Sequence, residues 1–514
     1  MKKRLLSAVM PLTMLVTTLT ACTGGGTSSS GAAGSTASAA GEAKTSLVLA
    51  LQGEPTTLDP QYADDTNMNM VAWQVYDTLV RFDGDTLEIE PVLATSYEAV
   101  EDTVWEFKLR EGVKFSDGTD FTAEDAAWSV NRIISTDYGS QIASDFETIE
   151  KAEAVDATTI RITTKEADPI LLKRLTKLAM VSKAFTEGKS NEELTTVANG
   201  TSAYKVDEWD RGSSITLSYN ENYWGEKPAI TNATYRFIEE SSTRVSALQS
   251  GEVDFAVNML PEYIDMLPKV VSGRGLENYF MRFNMIDGIM TSKELRLAAN
   301  YAIDKEAIAT ELFGGYATPE PGQIDREGNT GFTADLEAYP YDPDKARELI
   351  AAAGYNGETI EIISEKSRWL KDGEVTEAVA AMLQEVGLNV QVKFVSWNEW
   401  LDTLFDKTKT PSLQFSSTSS DYMDAGRTYN SSVLSTGTQS AVSNPVWDAL
   451  IQQANYEMDA EKRQAIFDEL NHALYEDPPK LLLVNVDSIT GVAENLEFTF
   501  RNDCRVYLNE LYFS

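Results

Sequence analysis

The chain has 514 residues, a formal net charge of −37, one histidine and two cysteines. Such an acidic chain is not expected to bind nucleic acid or to adhere electrostatically to anionic lipid. His472 and Cys504 are too few to form a soft metal site or a thiol nucleophile with its base. We therefore expect no cofactor and no metal, and this length predicts two or three domains.

The N-terminal segment is typical of a secreted, membrane-anchored protein. A basic start precedes an apolar run to about residue 19 that is too short for a spanning helix, so residues 1–21 are predicted to be a signal peptide. Residues 19–22 resemble a bacterial lipobox, which implies cleavage before Cys22 and lipidation of its thiol. Residues 22–44 form a predicted linker, and its stretch 23–41, made only of Gly, Ser, Thr and Ala, would span about 25 Å.

The chain after the linker begins with a short apolar strand, predicted over 46–51. A loop containing Glu54, Pro55 and Pro60 follows, and its prolines favour an extended conformation. A largely apolar helix is predicted over 67–80. This alternation of strand, loop and helix is the start of an α/β pattern.

The clearest local pattern lies in residues 88–132. Apolar and charged residues alternate over 105–109, which predicts a half-buried strand. Thr122 lies three residues before Asp125, which predicts a capping box at the start of an amphipathic helix. The segment is therefore predicted to be a strand, a turn and a helix.

The later elements follow from the same signals of period, caps and glycine stops. One long helix is predicted from Ser292 to Gly314. The other predicted helices cover 169–178, 244–251, 342–354, 375–387, 445–458 and 460–475, and the other predicted strands cover 159–163, 215–219, 235–238, 388–394, 413–420 and 481–486.

Several strings of residues resemble the large solute-binding lipoproteins of peptide and nickel ABC importers, the extracytoplasmic solute-binding proteins of family 5. These strings are residues 91–94, 107–118, 121–125, 222–225 and 296–304. The resemblance extends over residues 46–514 and is strongest at 88–132 and 199–254. It implies an α/β fold with two lobes, in which helices flank mixed sheets and the two lobes close over a solute by hinge motion.

The resemblance also implies a division of the chain into domains. Residues 45–80, 199–290 and 485–514 would form the first lobe, residues 81–198 an extra subdomain of that lobe, and residues 291–484 the second lobe. We expect the protein to be a monomer.

The ligand end of the site is predicted to follow a small polar strand at 413–420, whose backbone a ligand could approach. By resemblance to peptide-binding members, Asp421 would pair with the α-amino group of the ligand, and Ser417 and Ser419 would bind its main chain. Both roles agree with physical expectation, because a buried ammonium needs a carboxylate and an extended peptide can add to a strand edge. An ordinary Asp-rich turn after a strand remains the alternative.

Four further residues are candidate ligand contacts. The loop that holds Glu54 lines the cleft in the family. Thr418 stands where the family usually has Trp, and Ala425 where it has Pro, so the ligand could differ from a peptide. Tyr422 and Trp397, together with Trp400, could restore aromatic surface, and the alternative for Trp397 and Trp400 is that they are core residues.

The resemblance predicts an extracytoplasmic lipoprotein, anchored to the bacterial cell membrane, that captures short peptides and delivers them to an ABC permease with its ATPase subunits. We do not expect an enzyme. Three alternatives stay open: a family member that binds a nickel chelate, an oligosaccharide or another solute; a surface glycoside hydrolase that uses two carboxylates; and a receptor that signals without import.

Overall fold

The computed structural model describes residues 44–366, 368–419 and 421–514. The predicted signal peptide, Cys22 and all of the linker except Lys44 lie outside these residues. Among the residues that are described, no helix is long and apolar enough to cross a membrane.

An eleven-stranded mixed sheet forms the main framework. In order across the sheet, ten of its strands are Asn389–Phe394, Thr359–Ser364, Leu413–Ser419, Lys269–Phe283, Lys480–Val492, Phe255–Ala256, Ser46–Leu51, Asn232–Phe237, Ser214–Tyr219 and Tyr204–Asp210. The eleventh strand, Ala317–Pro319, pairs with Lys480–Val492 off this path.

Two long antiparallel strands, Lys269–Phe283 and Lys480–Val492, connect the two halves of this sheet, and we call them the crossing strands. Their register shifts between Arg274 and Asn278. At this irregularity, Asn485 Nδ2 donates hydrogen bonds to the carbonyl oxygens of Gly275 (3.1 Å) and Glu277 (3.2 Å). The side-chain amide thus replaces ladder hydrogen bonds where the strands pass from one half of the sheet to the other.

Separate hydrophobic cores on the two sides of this passage define two lobes. The core of the first lobe contains Leu49 and Tyr235 together with Leu508 from the end of the chain. The core of the second lobe contains Phe283 and Val379. The predicted fold class, an α/β protein with mixed sheets flanked by helices, is confirmed.

A third core lies under a four-stranded antiparallel sheet made of Ala94–Glu101, Val104–Leu109, Thr159–Thr164 and Ile149–Asp156. The strand predicted at 105–109 is confirmed. The predicted capping box is also confirmed, because Thr122 and Asp125 exchange hydrogen bonds at the start of the helix Ala123–Ile133.

The remaining elements are helices and two small sheets. The other α-helices are Thr66–Val75, Leu171–Leu175, Lys183–Thr186, Asn191–Leu194, Ser241–Ser250, Lys293–Ala302, Lys305–Ala307, Pro343–Ala352, Asp372–Glu385, Trp397–Phe405, Ala425–Ser432, Pro445–Tyr456 and Ala460–Glu476. Short 3₁₀ turns cover Ala143–Phe146, Pro261–Met266, Ile289–Thr291, Lys407–Lys409 and Leu508–Glu510. The small sheets pair Val80–Phe82 with Ile89–Pro91, and Leu496–Glu497 with Tyr512–Phe513.

The single long helix predicted from Ser292 to Gly314 is wrong. Ser292 does cap a helix, but that helix ends at Ala302 because Ile303 adopts an extended conformation. The side chain of Asp304 then accepts a hydrogen bond from the Ala307 backbone N–H and starts a new short helix, which continues as a π-helical turn to Leu312. A local bond from an Asp side chain to the backbone has here replaced the continuous helical ladder.

Candidate ligand-binding site

The strand Leu413–Ser419 has one edge that the sheet leaves largely open. On one side it pairs along its whole length with a crossing strand, from Leu413 opposite Phe283 to Ser419 opposite Glu277. On the other side, among the described residues, Thr359–Ser364 pairs with it only at Leu413 and Gln414. The open edge therefore begins at Phe415.

Along this open edge, the backbone N–H and C=O groups of every second residue point away from the crossing strand. Trp400 Nε1 donates a hydrogen bond of 3.0 Å to the carbonyl oxygen of Phe415. Because the Trp400 indole reaches this carbonyl oxygen, the oxygen points away from the crossing strand and is not part of the ladder with it. Because alternate residues of a strand direct their backbone groups to the same edge, Ser417 and Ser419 present their N–H and C=O groups there too. These are the two residues predicted to bind a ligand main chain.

The side chains at the end of the strand are small and polar. Ser417 Oγ donates a hydrogen bond to the carboxylate of Glu277. Thr418 Oγ1 lies 3.4 Å from Thr428 Oγ1. Ser419 lies opposite Glu277 in the ladder. These small side chains leave the outer face of the strand free of bulk.

Asp421 follows the strand and forms ion pairs with two cations of its own chain. Its carboxylate lies 2.7 Å from Lys177 Nζ and also accepts a hydrogen bond from the Arg427 guanidinium. Burial alone would raise the pKa of Asp421, but the two cations outweigh burial and hold the pKa below its usual range. Lys177 also lies 3.0 Å from Asp64 and 3.4 Å from Asp145.

Asp424 has a different environment, although it lies only three residues further along. Its side chain is fully buried and forms two hydrogen bonds with the Arg463 guanidinium, at 2.6 and 2.8 Å. It also caps the helix Ala425–Ser432 by accepting a hydrogen bond from the Gly426 N–H. Burial would raise the pKa of Asp424, but Arg463, Lys173 at 3.6 Å and the Gly426 N–H together outweigh burial and hold the pKa below its usual range. Asp424 therefore holds the second lobe together.

Tyr422 and Met423 carry the same segment against the first lobe. The ring of Tyr422 is buried, with Lys177 Nζ 5.1 Å from its centroid. The side chain of Met423 packs against Phe82 and Leu87 of the first lobe. Its backbone has a φ of +51°, which a residue with a side chain adopts only when its surroundings impose it. The segment 421–424 therefore joins the two lobes.

The other two candidate residues have contacts of their own. Glu54 accepts hydrogen bonds from Trp209 Nε1 (2.9 Å) and the Gly212 N–H (3.1 Å) of the first lobe, and its described contacts do not bring it to Asp421. Trp397 stacks on Trp400 with 4.8 Å between ring centroids and is 36% exposed. Trp397 therefore presents one aromatic face to solvent beside the open strand edge.

Sequence reasoning missed three charged residues of this site, namely Lys177, Glu277 and Arg427. Arg427 lies six residues after Asp421, so a search for oppositely charged neighbours could have found it. Lys177 and Glu277 lie 244 and 140 residues from their partners, and no local signal marks either of them.

Catalytic and metal chemistry has no comparable arrangement in the described part of the chain. His472 is largely exposed; its Nδ1 lies 2.7 Å from the Asp468 carbonyl oxygen and its Nε2 lies 3.2 Å from Asp335. No group of three or more potential metal ligands is found among the described residues.

Comparison with known proteins gives consistent matches. The model of the bacterial extracellular solute-binding proteins, family 5, middle region, matches residues 88–440. The glutathione-binding protein GsiB of Escherichia coli (strain K12) is 32% identical over 362 residues, which is 68% of this chain and 69% of the relative.

Solved structures show the same fold. The ABC transporter substrate-binding protein CtaP of Listeria monocytogenes aligns with a TM-score of 0.83 and 23% identity, covering 92% of this chain and 99% of the other. The periplasmic binding protein DppA of Helicobacter pylori, solved in complex with the peptide STSA, aligns with a TM-score of 0.72 and 24% identity, covering 91% and 98%. The two-lobed architecture is thus shared with these binding proteins.

Proposed function

Because the chain belongs to family 5 of the bacterial extracellular solute-binding proteins, we propose that the solute it captures is a short peptide. Proteins of this family are the extracytoplasmic substrate-binding components of ABC importers and are not enzymes. Glutathione, the ligand named for the Escherichia coli relative, is a tripeptide and is the first candidate.

The observation that carries the proposal is the open edge at Ser417 and Ser419. An extended peptide can add to such an edge and form main-chain hydrogen bonds with it, whatever side chains the peptide carries. The small side chains of the strand let the peptide backbone approach, and Trp397 offers an aromatic surface nearby. Side-chain variety in the ligand is then compatible with a fixed register.

Asp421 supplies the second element of the proposal. In the structure its carboxylate is bound by the ammonium of Lys177, which is the same chemical group as the N-terminus of a peptide. We infer that the α-ammonium of the ligand replaces Lys177 at this carboxylate. Lys177 would keep Asp64 and Asp145 as partners, so the exchange would leave no cation unpaired.

The test is the identity of the bound solute. Protein purified under native conditions is analysed by mass spectrometry for retained ligand, and the emptied protein is titrated by calorimetry with glutathione, tripeptides to pentapeptides, a nickel–histidine chelate and oligosaccharides. We expect the peptides to bind and the other solutes to fail. Tight binding of the chelate or a sugar, with no peptide bound, would instead support the alternative suggested by Thr418 and Ala425.

We also propose that Cys22 carries a lipid that holds the protein at the cell membrane. The proposal depends on the four residues 19–22 after a basic, apolar leader. The variant Cys22→Ser is expected to lose the lipid mass and to stop partitioning into detergent. A Cys22→Ser protein that still carries the lipid would contradict this.

A further inference from the structure

Three carboxylates surround the end of the strand Leu413–Ser419, and they differ in how their charge is balanced. Asp421 is paired with Lys177 and Arg427, and Asp424 with Arg463 and Lys173. None of the ion pairs found among the described residues includes the third carboxylate, that of Glu277, whose hydrogen bond comes from the neutral hydroxyl of Ser417. The side chain of Glu277 is exposed to solvent at the open strand edge.

The fold fixes the position of Glu277. It lies where the register of the crossing strands shifts, and its carbonyl oxygen accepts a hydrogen bond from Asn485 Nδ2 at 3.2 Å. It is paired with Ser419 in the ladder, so the side chains of the two residues share one face of the sheet. On that face the carboxylate lies beside Ser417, next to the backbone groups proposed to bind a peptide.

The surroundings of Glu277 combine small side chains with an aromatic wall. Arg368 lies close enough to influence the pKa of Glu277, and its guanidinium is 5.3 Å from the ring centroid of Trp397. Ser417 and Ser419 place only small side chains on this face of the strand. Such a face, with a carboxylate at one end and an apolar ring at its side, suits a long basic side chain, whose methylene stem is apolar and whose head is charged.

The charge of Glu277 is poorly stabilised without a ligand. Although Glu277 is exposed on one side, the protein groups around its carboxylate partly desolvate it, which raises the pKa of Glu277. The charge of Asp421 raises this pKa further, and the Ser417 hydroxyl and the Arg368 guanidinium oppose the rise without reversing it. On its own strand, Tyr279 is the nearest titratable neighbour, and its hydroxyl donates to the Leu370 carbonyl oxygen. A cation that arrived beside the carboxylate would favour its charged form.

We propose that Glu277 is a specificity residue that binds the cationic head of a Lys or Arg side chain of the peptide ligand, while Trp397 packs against the stem. This inference rests on the proposed function and adds a substrate class to it, namely peptides with a basic residue. Asp421 binds the α-ammonium, and Glu277 binds the side chain.

The test uses the emptied protein and matched tripeptides in which one residue of trialanine is replaced by lysine or by norleucine, at each of the three positions. At one position, lysine is expected to bind about tenfold more tightly than norleucine, as for a partly desolvated charge pair. Glu277→Gln is expected to reduce this preference to about twofold or less, with little change for the norleucine peptides. Glu385→Gln removes the same charge from the exposed end of the helix Asp372–Glu385 and should leave the preference intact.

A second measurement tests whether binding of the lysine peptide releases a proton. Near the raised pKa of Glu277, above 4.5, part of the carboxyl group is protonated, and binding of the lysine peptide should release that proton. Calorimetry in two buffers with different heats of ionisation measures this release, which Glu277→Gln should abolish. Asp421, with its pKa below 3.8, does not contribute in this pH range.

The outcomes separate this inference from its premise. If all the tripeptides bind and none shows a preference for lysine, or if Glu277→Gln keeps both the preference and the proton release, the role of Glu277 is wrong and the proposed function stands. If none of the tripeptides binds, the proposed function fails and the role of Glu277 fails with it.

Discussion

Asp421 and Asp424 lie three residues apart, and the structure gives them different hydrogen-bond partners and different exposure to solvent. The hydrogen-bond partners of Asp424, Arg463 and the Gly426 N–H, belong to the second lobe. Lys173 Nζ lies 3.6 Å from the same carboxylate, which has no exposure to solvent. Asp421 has a side chain that is 21% exposed and a partner, Lys177, that lies between Leu175 and Leu178 of the third core. Asp424 is thus held inside the second lobe, whereas Asp421 reaches a residue outside that lobe.

The difference shows how one short segment can carry both stability and movement. The buried pair of Asp424 and Arg463 fixes the segment to the second lobe and caps the helix that follows. Because the segment is fixed there, its other end can present Asp421, Tyr422 and Met423 to the first lobe in a defined orientation. Three substitutions test this division of roles.

The largest effect is expected from Asp424→Asn. Removal of this charge leaves Arg463 buried without its ion partner, which should lower the free energy of unfolding by about 3–5 kcal/mol in denaturant titration. The control Asp344→Asn removes an aspartate whose side chain is 92% exposed. It should change the free energy of unfolding by less than about 0.5 kcal/mol.

The pH dependence has a definite sign. Because the folded-state pKa of Asp424 is lowered from 3.8, its contribution to stability is present above pH 3.8 and is lost as the pH falls towards the lowered value. The Asn variant should lack this contribution at every pH. An Asn variant as stable as the parent would show that Asp424 has no structural role.

The next effect is expected from Asp421→Asn, and it concerns binding. The variant should lose peptide affinity about a hundredfold, roughly 2.8 kcal/mol, while its free energy of unfolding changes by less than about 1 kcal/mol. N-acetylation of the peptide should cause a similar loss with the parent protein, and the two losses should not add. Equal binding of acetylated and free peptides in calorimetry would refute the role of Asp421.

The smallest effect is expected from Lys177→Gln. Without the ligand, this variant loses the ion pair between the lobes, so its radius of gyration in solution scattering should exceed that of the parent. Peptides with a free α-amino group should bind about threefold more tightly, because a partly exposed competing ion pair is worth about 1 kcal/mol or less. Lys189→Gln, an exposed lysine of the same region, should change neither quantity. An unchanged radius would show that this pair does not hold the lobes together.

Local sequence determined much of the fold. The strand Val104–Leu109 and the helix cap at Thr122 depend on residues within a few positions of one another, and both could be predicted. The helix after Ser292 could not be followed correctly, since apolar periodicity continues through Ile303 while Asp304 redirects the backbone. Periodicity reports which face is buried, but not whether the hydrogen-bond ladder is continuous.

The candidate site could be predicted only along one segment of chain. The strand at 413–420 and Asp421 were located from their own residues and from the family resemblance. Their partners Lys177 and Glu277 are distant in sequence, and only the folded arrangement brings them near. Local pattern therefore indicates where a ligand could bind, while the balance of charge at that place depends on the whole fold.

Residues near Leu508 complete a hydrophobic core that also contains residues near Leu49. Leu508 packs in the core of the first lobe with Leu49, and the Gln74 side chain bonds the backbone of Val506 (2.7 Å) and Leu508 (2.9 Å). The core of the first lobe therefore stays incomplete until residues 506–511 have been synthesised and have packed into it.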